Sequence, residues 1–441
     1  MSINDHFKAN TTLAVPVMLS MLGQVMTGVA DSIMVGWTGA TPLAASSFAN
    51  VFFTIPLFFG VGVSYAITPL VAEADGGGDR SRVIAVLKNG TFINLATGLL
   101  LVVLIFAIEP LLTHLNQPAE VVSLALPYLS IVALSILPTM VFQTYRQFAE
   151  GLHDTRMAMI VVIGSNLLNV LLNYLLIFGK FGFPALGLNG AGWATLISRV
   201  VMGLSMFLYV YYAPKFHIYR AGFSLTGYSK KLINQMLHIG IPAGSQFIFE
   251  TGAFGLSAIM MGWFGTTALA AHQIAINLAT ISYMTTSGLA SAATIRVGHF
   301  LGKKNRKQLT NAAYTLIIMA LGLMVAWAVL FIVGRYLLPT LYIRDIDVIT
   351  LTASLLVIAG FFQLSDGMQV VCAGALRGLQ DVKIPSLLIF VAYWIIALPL
   401  GYYLAFTLGL GPSGIWYGLL IGLTLVAGAL FVRLRGLMQK V

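Results

Sequence analysis

Charged positions are so sparse along this chain that the gaps between them outline its elements. Residues 9–30, 32–72, 89–108, 121–145, 157–179, 251–295 and 384–432 contain no Asp, Glu, Lys or Arg. Each gap holds one or two apolar stretches of about 20 residues, the length at which a helix crosses the hydrocarbon core of a bilayer. Where a gap is double length, a break rich in Gly, Pro and Thr divides it: GWTGATP at 36–42, GWFGTTA at 262–268 and LGLGPSG at 408–414. The pattern predicts an all-α integral membrane protein with twelve transmembrane helices.

Composition agrees. Of 441 residues, 59% are hydrophobic and 9% charged, against roughly a quarter charged in a soluble domain. The opening MSINDHFKAN lacks the basic start and small-residue cleavage site of a secretory signal, so the first apolar segment is expected to remain as a helix. Cys372 is the single cysteine; it has no partner for an internal disulfide and is expected to pack as a small apolar residue. With the amino terminus inside, the cytoplasmic segments collect 20 of the 24 Lys and Arg, Arg146 and Arg296 among them. The outer loops receive only Lys180, Arg335 and Arg344, and Arg199 falls within a helix. The asymmetry places both termini in the cytoplasm. It also accounts for the net charge of +10 without nucleic acid, since these loops face an anionic leaflet.

The chain lies on itself when shifted by 226 residues. Ser32 to Ala49 against Ala258 to Ala275 gives 10 identities in 18, Pro16 falls on Pro242, and Gly62 and Thr68 fall on Gly288 and Thr294. One residue further, GLHDTR from Gly151 meets GLQDVK from Gly378. Two six-helix bundles are therefore expected, residues 1–213 and 236–441, joined by a basic cytoplasmic connector at 214–235. Six is even, so the bundles share an orientation and a pseudo-twofold along the membrane normal relates them. Repeats of this kind mark transporters that alternate access.

Three of the 14 acidic residues, Asp31, Glu250 and Asp366, fall inside predicted helices. A charge at helix centre costs about 3 kcal/mol even on the lenient insertion scale, so something must neutralise them. The candidates are a proton, a metal cation or a cationic substrate. Under the repeat shift Glu250 meets Gln24, Asp31 meets Ser257 and Asp366 falls near Thr139, so the acids are not part of the shared scaffold. Helical spacing puts Gln246 and Phe254 beside Glu250, and Phe362, Gln363 and Gln369 on the face of Asp366. Asn169 and Asn173, one turn apart, offer Asp31 a polar stripe, although asparagine between helices is also common structural glue. Arg199 either snorkels, satisfies carbonyls or pairs with one of the acids. Pro16 interrupts the hydrogen-bond ladder of the first helix. His272 and His299 carry no motif and read as interfacial.

With these features aligned, the sequence resembles the multidrug and toxic compound extrusion (MATE) family, in its NorM-like branch, over essentially the whole chain. The marks are PVMLSMLGQVMTGVADSIMVG around Pro16 and Asp31, FIFETGAF around Glu250, QLSDGMQVVCAGALRGLQD around Asp366, and the doubled G-L-x-D. The resemblance implies a V-shaped pair of bundles and export of amphipathic, cationic drugs and dyes in exchange for sodium ions or protons. It implies no other cofactor, a bacterial inner-membrane location and a monomer. It maps a cation site, for sodium if sodium is the coupling ion, onto Glu250 and Asp366, and a first-half site onto Asp31, Asn169 and Asn173. A tyrosine expected one turn before the second-half acid is Phe362 here, which leaves sodium and proton coupling both open. Three rivals remain: a lipid-linked oligosaccharide flippase, which needs a cationic cavity; an integral-membrane prenyl transferase, which needs clustered acids at a cytoplasmic rim; and a facilitator of another twelve-helix fold.

Overall fold

The structure, a computed structural model, describes residues 2–440 apart from Asn116 and Leu225. Among these residues there is no strand. Twelve long helical stretches follow in order: α1 Ile3–Gly36, α2 Ala40–Gly76, α3 Arg80–Leu112, α4 Ala119–Gly151, α5 Arg156–Phe178, α6 Leu188–Tyr212, α7 Lys230–Gly262, α8 Thr266–Gly302, α9 Arg306–Val333, α10 Ile346–Gly378, α11 Lys383–Thr407 and α12 Pro412–Met438. Ten of these are long and apolar enough to cross a membrane. The other two, α7 and α8, have 33 and 37 residues. A short 3₁₀ helix, Pro214–Phe223, forms the connector. It buries Phe216, Tyr219 and Gly222, the three-residue spacing that its tighter winding lines up on one face.

The breaks expected at 36–42 and 262–268 are sharp turns, with Gly39 at φ 132° and Gly265 at φ 103°. A side chain is disfavoured at such angles.

The chain folds into two compact units. One holds Leu19–Gly244, the other Met1–Met18 with Ser245–Val441. They follow the two sequence halves except that α1 and α7 each divide between units. The two crossing points, after residues 18 and 244, are 226 apart, which is the repeat offset. Close packing explains both memberships. In the C-terminal unit a Cβ on Gly288 would lie 2.4 Å from Met18 Cγ, and His6 bonds Gln308 Oε1 through Nε2 at 2.7 Å. In the N-terminal unit a Cβ on Gly62, the repeat partner of Gly288, would lie 2.4 Å from Gly244 Cα.

The doubled G-L-x-D has a structural reason. Gly151 packs where a Cβ would meet Thr68 O at 3.1 Å, and Gly378 where it would meet Thr294 O at 2.8 Å. Beside these approaches, Thr68 Oγ1 donates to Gln147 O and Thr294 Oγ1 to Gly374 O, at 3.1 and 2.8 Å. The third residue of each motif turns left-handed, His153 at φ 66° and Gln380 at φ 63°. The aspartate then anchors the sixth helix of its half. Asp154 accepts from Tyr209 at 2.7 Å and pairs with Lys215, while Asp381 pairs with Arg433 through two guanidinium nitrogens.

One expectation about charged side chains is corrected. Arg146 and Arg296, counted with the cytoplasmic segments, are buried within α4 and α8. Arg146 is ion-paired to the equally buried Glu150 at 2.7 Å, and Arg296 donates to His6 Nδ1 at 2.8 Å. His272 is packed inside its unit. It is 1% exposed and accepts a hydrogen bond from Trp416 Nε1 at 3.2 Å, because α12 folds its indole back onto α8.

Candidate functional site: carboxylates within the helices of both units

In the C-terminal unit, α10 is the central helix, packed against α8, α9 and α12. Asp366 sits on it, 5% exposed, and among the described residues takes no hydrogen-bond partner. Glu250, on α7, accepts a hydrogen bond from Gln369 Nε2 at 2.9 Å. Gln369 lies one turn beyond Asp366 on α10, so this bond brings the two acids into one region of the unit. No ion pair reaches either acid among the described residues, although the charge of Arg377 is felt at Glu250.

The neighbours expected from helical spacing divide by role. Gln369 is in direct contact with Glu250. Phe254 and Phe362 face each other, ring centres 6.2 Å apart, and build an apolar wall that continues to Trp416 at 6.1 Å from Phe362. Gln363 turns to α8, accepting from Ser282 Oγ at 2.6 Å and leaving its own Nε2 buried without a partner. Gln246 is buried on α7. Spacing along α7 and α10 did not reveal Tyr393, which α11 supplies. It is 1% exposed, donates to Gln369 Oε1 at 3.4 Å and sets its ring, tilted, 5.8 Å from that of Phe254.

The N-terminal unit holds a separate cluster. Asn173 Nδ2 donates to Asp31 Oδ1 at 2.5 Å and lies 3.2 Å from Asn169 Oδ1, while Asn169 donates to Ser198 Oγ at 3.4 Å. The two asparagines thus do meet Asp31, joining α1, α5 and α6. Arg199, next to Ser198 on α6, donates to Ser135 Oγ at 2.8 Å and lies over the Phe53 ring at 5.0 Å. Its charge acts on Asp31, but the direct contact of that carboxylate is with Asn173. Tyr128 of α4 stands within electrostatic range of both Asp31 and Arg199 and was not visible from the sequence spacing.

The side chains that occupy the repeat-equivalent positions behave differently. Ser257 and Thr139 spend their hydroxyls on their own helices, on Ala253 O at 2.9 Å and Ser135 O at 2.8 Å. The acids have no such local outlet, because an ionised carboxylate only accepts and every helical carbonyl is also an acceptor. The polar side chains described around Glu250 and Asp366, Gln369 and Tyr393, offer oxygens and an amide. That donor set suits a hard cation or a proton and is unsuited to a soft transition metal.

Membrane-length helices in two repeat-related units, each holding carboxylates inside its helices, define a multi-pass membrane transport protein rather than an enzyme. The MatE family profile matches residues 16–175 and 242–403, one block per half. The chain is 34% identical to a probable multidrug resistance protein NorM of Agrobacterium fabrum, covering 99% of this chain and 95% of that protein. It is 34% identical to the multidrug resistance protein MdtK of Yersinia pseudotuberculosis over 97% of this chain and 95% of that one. Among solved structures, a MATE crystal structure in the bent conformation superposes with a TM-score of 0.90 at 21% identity, covering 99% of this chain and 96% of that chain. The chain belongs to the MatE family and has its twelve-helix, two-bundle fold.

Proposed function

We propose that this protein is a secondary active multidrug efflux antiporter that exports amphipathic organic cations in exchange for sodium ions or protons by alternating access. It acts as a monomer in the bacterial inner membrane with both termini in the cytoplasm. The relatives named as multidrug resistance proteins support the substrate class. The observation that carries the reading is the juxtaposition of half-buried Glu250, bonded to Gln369, with buried Asp366 one turn from that glutamine on α10, neither acid ion-paired among the described residues.

Two carboxylates held close in an apolar surround repel each other, and burial penalises both charges. An arriving cation relieves both effects. An organic cation and a coupling ion relieve the same charge, so the binding of one weakens the other, and that mutual exclusion is sufficient for exchange. Phe254 and Phe362 give the cluster an apolar side against which a greasy cation can lie. In the N-terminal unit, Asp31 with Asn169 and Asn173 forms the second acidic site of the same kind. The cationic cavity that a flippase needs is not supported by Arg199, whose guanidinium is engaged with Ser135 and Phe53.

Everted vesicles with ethidium in the outer medium, where export reads as uptake, test this. The wild-type protein is expected to move ethidium when a sodium or proton gradient is imposed. Glu250→Gln should be expressed and folded yet lose at least about 90% of gradient-driven transport, since the loss of ~1.4 kcal/mol of coupling already reduces an equilibrium tenfold. Unchanged transport in that variant would remove Glu250 from the mechanism.

A further inference from the structure

Gln363 follows Phe362 directly and lies one turn before Asp366 on α10, yet the exchange cycle gives it no task. Its side chain is fully buried and crosses to α8, where Oε1 lies 2.6 Å from Ser282 Oγ. Its Nε2 is buried without a hydrogen-bond partner. A stranded amide nitrogen is costly, and protein interiors hold few of them.

The surroundings of Ser282 show what this amide can do. The serine Oγ also lies 2.7 Å from Ala279 O. A hydroxyl carries one proton, so Ser282 cannot donate to Ala279 O and to Gln363 Oε1 at once, but it can donate to one partner while accepting from another. With Oε1 toward the serine, the group makes one hydrogen bond and strands the amide nitrogen. With the amide turned over, a change that leaves its shape as it was, Nε2 donates to Ser282 Oγ and the serine proton goes to Ala279 O. The turned amide makes two bonds where the other makes one. What is left without a partner is then an oxygen, in the place of the stranded nitrogen.

That oxygen has an acid for its neighbour on the helix. Phe362 and Gln369 point to α7, where they meet Phe254 and Glu250, whereas Gln363 points to α8. At 3.6 residues per turn, Asp366 falls between these two directions, about 60° around the helix from Gln363 and one turn along it. Asp366 is buried and takes no hydrogen-bond partner among the described residues. A carboxylate oxygen and an amide oxygen cannot donate to each other, and a hard cation takes both kinds as ligands. Phe362 supplies no oxygen on this turn; Gln363 does.

We propose that Gln363 is a further ligand of the coupling cation: its side-chain oxygen, together with the Asp366 carboxylate, takes sodium, and Ser282 holds the amide in the orientation that presents it. This rests on the reading of Glu250 and Asp366 as the cation site, and it selects between the two coupling ions. A proton needs one carboxylate oxygen and no second ligand, whereas sodium gains from each oxygen added.

Equilibrium binding of radioactive sodium to the purified full-length protein tests the proposal, with the sodium-dependent rise of the thermal-unfolding midpoint as a second readout. Gln363→Met keeps the length of the side chain and removes its oxygen. It is expected to weaken sodium binding about tenfold or more, the scale of a lost contact to a charge, and to abolish most of the rise in midpoint. Gln363→Leu carries the same expectation and serves if the methionine variant does not fold. Ser282→Ala removes only the steering hydroxyl and should weaken binding by a smaller factor, about fivefold at most. Unchanged sodium binding in a folded Gln363 variant would overturn the proposal. So would equal losses in Gln363→Met and Ser282→Ala, the result of a mere tie between α8 and α10. A wild-type protein that binds no sodium would overturn it too, while leaving proton-driven antiport intact as the function. Asp366→Asn separates the two readings: binding lost there but kept in Gln363→Met removes Gln363 alone, and binding kept in both removes the cation site itself.

Discussion

The short hydrogen bond from Asn173 to Asp31 is the clearest case of one side chain making another tolerable. Asn173→Ala leaves the carboxylate without that donor and should destabilise the protein by about 1–3 kcal/mol. A lowered thermal-unfolding midpoint of the purified protein is the expected reading; an unchanged midpoint would mean that Asp31 finds another donor. Asp31, Asn169, Asn173, Glu250 and Asp366 were legible in the sequence because polar groups are expensive in lipid and therefore conspicuous in an apolar run. Tyr393 was not legible. A tyrosine in VAYWIIALPL is compatible with lipid-facing or interfacial packing, and only the fold brings its hydroxyl across to a glutamine 24 positions earlier.

Helices α6 and α12 are each tied down by an aspartate that ends the G-L-x-D motif, and the ties differ in chemistry. Asp381 meets Arg433 through two nitrogens, whereas Asp154 shares a lysine and a tyrosine hydroxyl. Both pairs are partly solvated, so each contributes on the order of 1 kcal/mol or less. Asp381→Ala should lower the unfolding midpoint modestly and leave ethidium transport nearly intact, and the difference from wild type should shrink at high salt. A large transport defect with no loss of stability would assign Asp381 a role beyond anchoring. Element boundaries were readable wherever glycine marked a turn, as at Gly39 and Gly265. The left-handed His153 and Gln380 were less readable, since neither residue type announces a positive φ.

The 226-residue repeat governs the whole molecule. It was visible as sequence identity, and in the structure it also governs the turns. Asp79 N bonds Ala74 O and caps Arg82 N, while Asn305 N bonds Phe300 O and caps Gln308 N, the same arrangement 226 residues on. The division of α1 and α7 between units was not legible, because an unbroken helix gives no sign of where its packing partners change. Against this symmetric scaffold the acids are asymmetric, and the proposed function depends on that difference. Binding of ethidium to the purified protein, followed by fluorescence while sodium or proton concentration is raised, tests the central claim most directly. The account predicts that one of these cations displaces ethidium from the wild-type protein competitively, and that displacement is lost in Glu250→Gln. Ethidium binding to the wild type that is indifferent to both cations, or displacement that persists unchanged in Glu250→Gln, would contradict it.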